Sequence, residues 1–188
     1  WRWPGQSPRP RRVGRRSALR PLERNLLLAD DLQNAGAPPA FMDYPSLGGG
    51  YALLWHAAQA GALSHAYLLA GPRGVGKATF ARTLAATQFC TGRDKPCGTC
   101  DGCLRVFAGG APDVIEVLSP DDKPIPIERI RRTIAQISQH AFGDGKRVVI
   151  VEPAERMTPS AQNCLLKSLE EPPADVLFLL LAHEPGAL

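Results

Sequence analysis

The stretch Gly71–Thr79, GPRGVGKAT, follows the apolar run AYLLA (Ala66–Ala70) and leads into KATFARTLAATQF, a segment of helical character. Strand, glycine-rich turn and helix form the context in which a loop cradles phosphate. Glycines let backbone N–H groups converge on an anion, a lysine adds positive charge, and the helix N-terminus adds its dipole. Gly71, Gly74, Gly76 and Lys77 stand at the required spacing, and the cradle also takes in Arg73, Val75, Ala78 and Thr79. The position after the lysine calls for a Ser or Thr hydroxyl to hold Mg²⁺, and Ala78 has none. Thr79 lies one residue further, about 100° around the helix, and is a poor substitute. The expectation is a phosphate-binding loop with weak ATP affinity and impaired Mg²⁺ chemistry.

Downstream, the helix from Lys77 is expected to end near Phe89, where the cysteines begin. Cys90, Cys97, Cys100 and Cys103 read C-x6-C-x2-C-x2-C, with Gly98 and Gly102 placed in tight turns between the last three. Four sulfur donors with no open position describe a structural zinc site, in which the metal contributes folding energy and no catalysis. An iron–sulfur cluster is the main competitor, but in the ferredoxin run the fourth cysteine follows the first three and precedes a proline. Unliganded thiols are the remaining alternative. Cys164 stands apart in a helical segment and reads as a small buried apolar residue.

Asp113–Leu118, DVIEVL, reads as a strand, with a loop, SPDDKP, after it. Ile127, Ile130, Ile134 and Ile137 then recur at helical spacing behind Pro126, a residue suited to a first turn. Arg129, Arg131 and Arg132 lie between them, most simply as a solvated face, with contact to DNA or a partner subunit as the functional alternative. Arg147–Val151, RVVIV, has the short β-branched character of a strand buried on both faces of a parallel sheet.

In a nucleotide hydrolase of this layout, that strand ends in an Asp for the Mg²⁺ shell and a Glu that activates water. This chain has Glu152 and then Pro153, which neither binds metal nor takes a proton, and Glu155 falls in the following turn. A lost base costs about 10² to 10⁴ in rate, and the missing hydroxyl adds to that, so no useful ATP turnover is expected. Thr158 caps a further helix with Pro159 in its first position, Pro172-Pro173 stop it, and Val176–Ala182, VLFLLLA, is a fourth buried strand. The alternation predicts an α/β fold, a three-layer αβα P-loop domain with a parallel sheet.

Upstream, Tyr51–Leu63 is apolar around most of its circumference, as suits a helix packed on a sheet, and His56 in it reads as packing or surface. Gly48-Gly49-Gly50 form a flexible entry. Residues 1–40 are rich in Pro, Gly and Arg and are expected to be a disordered tail. Seven arginines and no acid stand in the first 20 residues, so the net charge of +4 hides a mildly acidic body of 15 bases and 18 acids. Such a tail would attract nucleic acid electrostatically. The simpler reading, with no initiating Met and Met42 lying where the folded pattern begins, is sequence outside the domain. At 188 residues and 44% hydrophobic the chain suits one core, so a single domain over 41–188 is expected, with the cysteine module at 90–103 inside it. No run of about 18 apolar residues exists and the basic start lacks a secretory h-region, so no membrane partner and a cytoplasmic location are expected.

Together, HAYLLAGPRGVGKATFAR, the four-cysteine insert and QNCLLKSLEEPP (Gln162–Pro173) resemble the first AAA+ domain of bacterial DNA polymerase III clamp-loader subunits, over about residues 47–188. The resemblance implies a RecA-like AAA+ domain with structural zinc, in a five-membered ring with delta and gamma/tau subunits that opens the sliding clamp and closes it around primed DNA. Within the family, Ala78 and Glu152-Pro153-Ala154-Glu155 are similar to the delta-prime branch, a non-hydrolysing stator. The gamma/tau motor branch is the alternative. Ala182 and His183 depart from the family's polar sensor pattern, and its SRC motif, helical lid and collar do not occur by Leu188, so the sequence is expected to be a fragment. An unrelated P-loop kinase or zinc-bearing nucleic-acid module lacks its own signature: no acceptor-substrate residues stand out, and the body is not basic.

Overall fold

The computed structural model describes residues 26–27, 50–119, 123–138 and 146–183. Its elements in chain order are β1 (Leu26–Leu27), α1 (Gly50–Gln59), β2 (Ala66–Ala70), α2 (Lys77–Phe89), α3 (Asp101–Phe107), β3 (Val114–Leu118), α4 (Ile127–Ile137), β4 (Arg147–Glu152), α5 (Pro159–Glu170) and β5 (Val176–Ala182). A 3₁₀ turn, Ala154–Arg156, joins β4 to α5. The strands form one parallel sheet in the order β1-β2-β5-β4-β3.

Strand alternation divides the core into two. Tyr67, Val148, Ile150, Leu177, Leu179 and Leu181 face one way, against Leu54, Trp55 and Ala58 of α1, Phe80 and Leu84 of α2 and Val106 of α3. Ala66, Val117, Val149, Val151, Val176 and Phe178 face the other way, against Ile130 and Ile137 of α4 and Leu165 and Leu169 of α5. Val148, Val149, Val151, Phe178 and Leu179 are fully buried, which is why these strands read as unbroken apolar runs and not as alternating ones. The expected parallel sheet with a helical layer on each face is thus present. α2 is buried over most of its surface, since α1 and α3 flank it; Phe80 meets Tyr51 edge to face at 5.9 Å.

Thr158 caps α5 as expected, accepting from the Ala161 N–H at 3.3 Å, with Pro159 in the first turn. Where the sequence suggests helix from Tyr51 to Leu63, α1 stops at Gln59, because Gly61 adopts φ +66° and turns the chain towards β2. Cys164 is half-buried on α5, packed beside the second core and not inside it. Ile127 and Ile134 are also half-buried, while Thr133 takes a buried place on α4; Arg131 and Arg132 are exposed and Arg129 is half-buried. The triglycine entry except Gly50, and the 1–40 tail except Leu26–Leu27, lie outside the described residues. Those two form a strand paired with Leu68 and Leu69 that the composition of the segment does not suggest.

Candidate functional site

The glycine-rich turn sits at the carboxyl ends of β2, β4 and β5, the edge where parallel α/β sheets place ligands. Gly74 and Gly76 adopt φ +83° and +92°, a region that side chains disfavour, so the turn itself calls for glycine at both. Gly76 immediately precedes α2, and no side chain caps that helix, so the first-turn N–H groups are left to whatever the turn encloses. The turn is tied to the sheet by the Gly71 N–H donating to the Ala182 carbonyl at 3.2 Å.

Lys77 is 3% exposed, and its ammonium donates to the carbonyls of Gly71 (2.7 Å) and Pro72 (2.8 Å) and meets His183 Nδ1 at 3.0 Å. Burial lowers its pKa, opposed by the charges of Glu152 and Glu155. Glu152 ends β4 half-buried and Pro153 is buried beside it. Glu155 Oε1 accepts from the His183 backbone N–H at 3.1 Å, while its Oε2 is buried with no hydrogen-bond partner among the described residues. Thr79 is exposed and its backbone carbonyl accepts from the Thr83 hydroxyl at 2.9 Å, while Ala78, the residue after the lysine, is half-buried. Arg73 is exposed and Val75 half-buried on the same turn. Next to the site, Glu116 of β3 accepts two hydrogen bonds from Arg82 of α2, both 2.8 Å, which hold its carboxyl below the usual range and raise the guanidinium's pKa.

At the other end of α2 the four cysteines converge. The sulfurs of Cys90, Cys97, Cys100 and Cys103 all lie within 4.8 Å of one another, and Cys90 and Cys100 are 3.9 Å apart. A tetrahedral zinc with Zn–S bonds of about 2.3 Å would set its sulfurs about 3.8 Å apart, so the donor set fits. Backbone N–H groups of Gly92 and Cys97 point at Cys90 Sγ, and that of Cys100 at Cys97 Sγ, each at 3.3 Å, an arrangement suited to thiolates. Backbone hydrogen bonds from Cys103 and Thr91 hold the Cys100 thiol down to about 5, and bonds from Thr99 lower Cys97. Burial pushes Cys103 up to about 12. No cysteine is in a disulfide.

A family model described as DNA polymerase III, delta subunit, matches residues 50–188. The chain belongs to this family. Similar relatives include the delta' subunits of DNA polymerase III from Pseudomonas aeruginosa, 43% identical over 66% of this chain and 39% of that protein, and from Bacillus subtilis, 36% identical over 72% and 41%. The tau subunit of Escherichia coli is 37% identical over 68% of this chain and 20% of that protein. The chain thus spans about two-fifths of the delta' relatives it matches. Its fold is that of a DNA polymerase III gamma subunit-related protein from Thermotoga maritima, with a TM-score of 0.53 at 23% identity over 72% of this chain and 40% of that one.

Of the two glycines expected in tight turns between the cysteines of this family member, one departs from that expectation. Gly98 does take a turn, at φ +73°, but Gly102 lies inside α3, where a Cβ would come within 2.0 Å of the Phe89 carbonyl oxygen. It permits α3 to press against the end of α2, and is not a turn residue. His183 stands out in the sequence only as a departure from a polar pattern; its contact with Lys77 spans the sheet and has no local signature. No helix among the described residues is long and apolar enough to cross a membrane.

Proposed function

We propose that this chain is the AAA+ P-loop part of a delta-prime-type clamp-loader subunit, a non-hydrolysing stator. On this reading it braces a ring with delta and gamma/tau subunits that places the sliding clamp on primed DNA in the bacterial cytoplasm. The observation that carries it is a glycine-rich turn at the start of α2 whose neighbouring positions, Ala78 and Pro153, lack the groups that hydrolysis would need. On this reading Gly71, Gly74, Gly76 and Lys77 would receive phosphate, supported by the positive φ of Gly74 and Gly76 next to α2, while Ala78 supplies no Mg²⁺ hydroxyl and buried Pro153 no base. The delta' names of the relatives favour the same branch. Cys90, Cys97, Cys100 and Cys103 would hold a closed structural zinc, which welds the segment after α2 to that helix and takes no part in a reaction.

Steady-state ATP hydrolysis by the purified chain tests the stator reading. The expected rate equals that of buffer alone. Turnover that disappears in Lys77→Ala would make the chain a motor of the gamma/tau kind. Metal analysis tests the module: about one zinc per chain and no visible absorption are expected, whereas a brown protein would mean an iron–sulfur cluster.

A further inference from the structure

The ammonium of Lys77 has three N–H bonds and three acceptors. Two are carbonyls of its own turn, Gly71 and Pro72. The third is the imidazole of His183, reached from the far side of the site at the end of β5. An ammonium has only donors, so in this contact Lys77 donates and His183 Nδ1 accepts. His183 Nδ1 therefore makes the same demand on Lys77 that a phosphate oxygen would make, one lone pair for the last ammonium proton.

We propose that His183 is a built-in competitor for phosphate: it fills the remaining donor of Lys77, and a nucleoside di- or triphosphate binds only as its ring is displaced. This rests on the reading of the loop as a nucleotide cradle. The main chain that carries the ring is tied at two points beside the loop, which keeps the imidazole within reach of Lys77. The Glu155 carboxylate fixes the His183 backbone at 3.1 Å, and the preceding residue, Ala182, is bonded to Gly71. A group so positioned loses little further freedom in making its contact. Glu152 and Glu155 supplement it, since their charges favour the ammonium where it lies and oppose an incoming phosphate.

Binding of the fluorescent nucleotide mant-ADP, measured without magnesium so that the Ala78 position plays no part, separates the possibilities. In His183→Ala the affinity is expected to rise about tenfold over the unaltered chain, the scale of one hydrogen bond to a charged group. In His183→Ala with Lys77→Ala that gain should vanish, because it acts through the lysine. Unchanged or weaker binding in His183→Ala, with measurable binding to the unaltered chain, overturns the competitor and leaves the cradle standing. Absence of binding to both overturns the cradle and the competitor together. If His183→Ala does not fold, the ring ¹⁵N signals of His183 in the unaltered chain decide the same question. An unprotonated Nδ1 that shifts when mant-ADP saturates the site is expected, and a ring signal indifferent to bound nucleotide overturns the proposal.

Discussion

One helix, α2, joins two sites of opposite character: it starts in the glycine-rich turn and ends at Cys90. At its C-terminal end four sulfurs gather within 4.8 Å of one another, a set that could hold a metal ion and that the proposal reads as a closed zinc site. At its N-terminal end is the glycine-rich turn, which on the proposed reading is a phosphate cradle with Ala78 and Pro153 where a reaction would need a hydroxyl and a base. A closed metal site tolerates no missing ligand, because every donor contributes to folding. A phosphate cradle is built mostly from backbone, so it keeps its shape when the side chains that perform chemistry are gone. On that reading the same helix would separate what is required for shape at one end from what is required only for turnover at the other.

The sharpest way to break this contrast is to damage the closed site. Cys103 is fully buried, and Cys103→Ser is expected to abolish zinc retention and melt residues 90–107 at ambient temperature, as removal of zinc by a chelator should. Hydrogen exchange read at α3 and at the turn 71–76 checks it: exchange should become fast in α3 and stay near its original rate in the turn. Equal loss at both would mean that the two ends of α2 are one cooperative unit.

Gly102→Ala should have the next largest effect. Its new methyl would meet the Phe89 carbonyl, a backbone atom that cannot rotate away, and a loss of about 1–3 kcal/mol in chemical unfolding is expected for this overpacking. Gly98→Ala, strained only by φ +73° and with open space around it, should cost less, roughly 1 kcal/mol.

At the open end, Ala78→Thr with Glu152→Asp and Pro153→Glu would return the missing groups. Tighter Mg-dependent nucleotide binding by about tenfold is expected, with no substantial hydrolysis. On the proposed reading, the site would be completed by an arginine from an adjacent subunit, and one supplied in trans is worth about 10³ to 10⁵ in rate. Turnover near one per second by the triple variant alone, a figure set by about the low end of ordinary kcat values, would show a self-sufficient ATPase disabled by point changes.

The smallest effect is expected at Glu116, which links α2 to β3. Its carboxyl is held low by Arg82, so the stability it contributes is fully present above the ordinary carboxylate pKa and is lost as pH falls through its own lowered value. The pair is partly exposed, so Glu116→Gln should cost less than about 1 kcal/mol at pH 7 and nothing at pH low enough to protonate the unaltered residue.

Much of this architecture is legible because it is written in local pattern. β4 and β5 are unbroken apolar runs since both faces of a central parallel strand are covered, and the cap of α5 is announced by Thr158-Pro159. The cysteine cluster follows from spacing alone. α3 escapes such reading because seven residues are too few for a helical period to declare itself. Contacts made across the sheet leave no local trace either. Lys77 with His183 is one; another is buried Arg147, which lies 3.8 Å from Asp113 and donates to the Ile137 carbonyl at 2.5 Å, joining β4 to the start of β3 and the end of α4.

The strand order carries a consequence for biosynthesis. β5 lies between β2 and β4, yet it is the last of the five to be translated, so Ala66 waits for Phe178 and Arg147 waits for Val176. Until the ribosome has released β5, β3 and β4 can pair with each other but not with β2, and each half offers an unpaired apolar edge. Such non-local pairing is slow and exposes sticky intermediates. The nascent chain therefore passes through a window in which its most apolar edges are bare, and emergence of one seven-residue strand closes it.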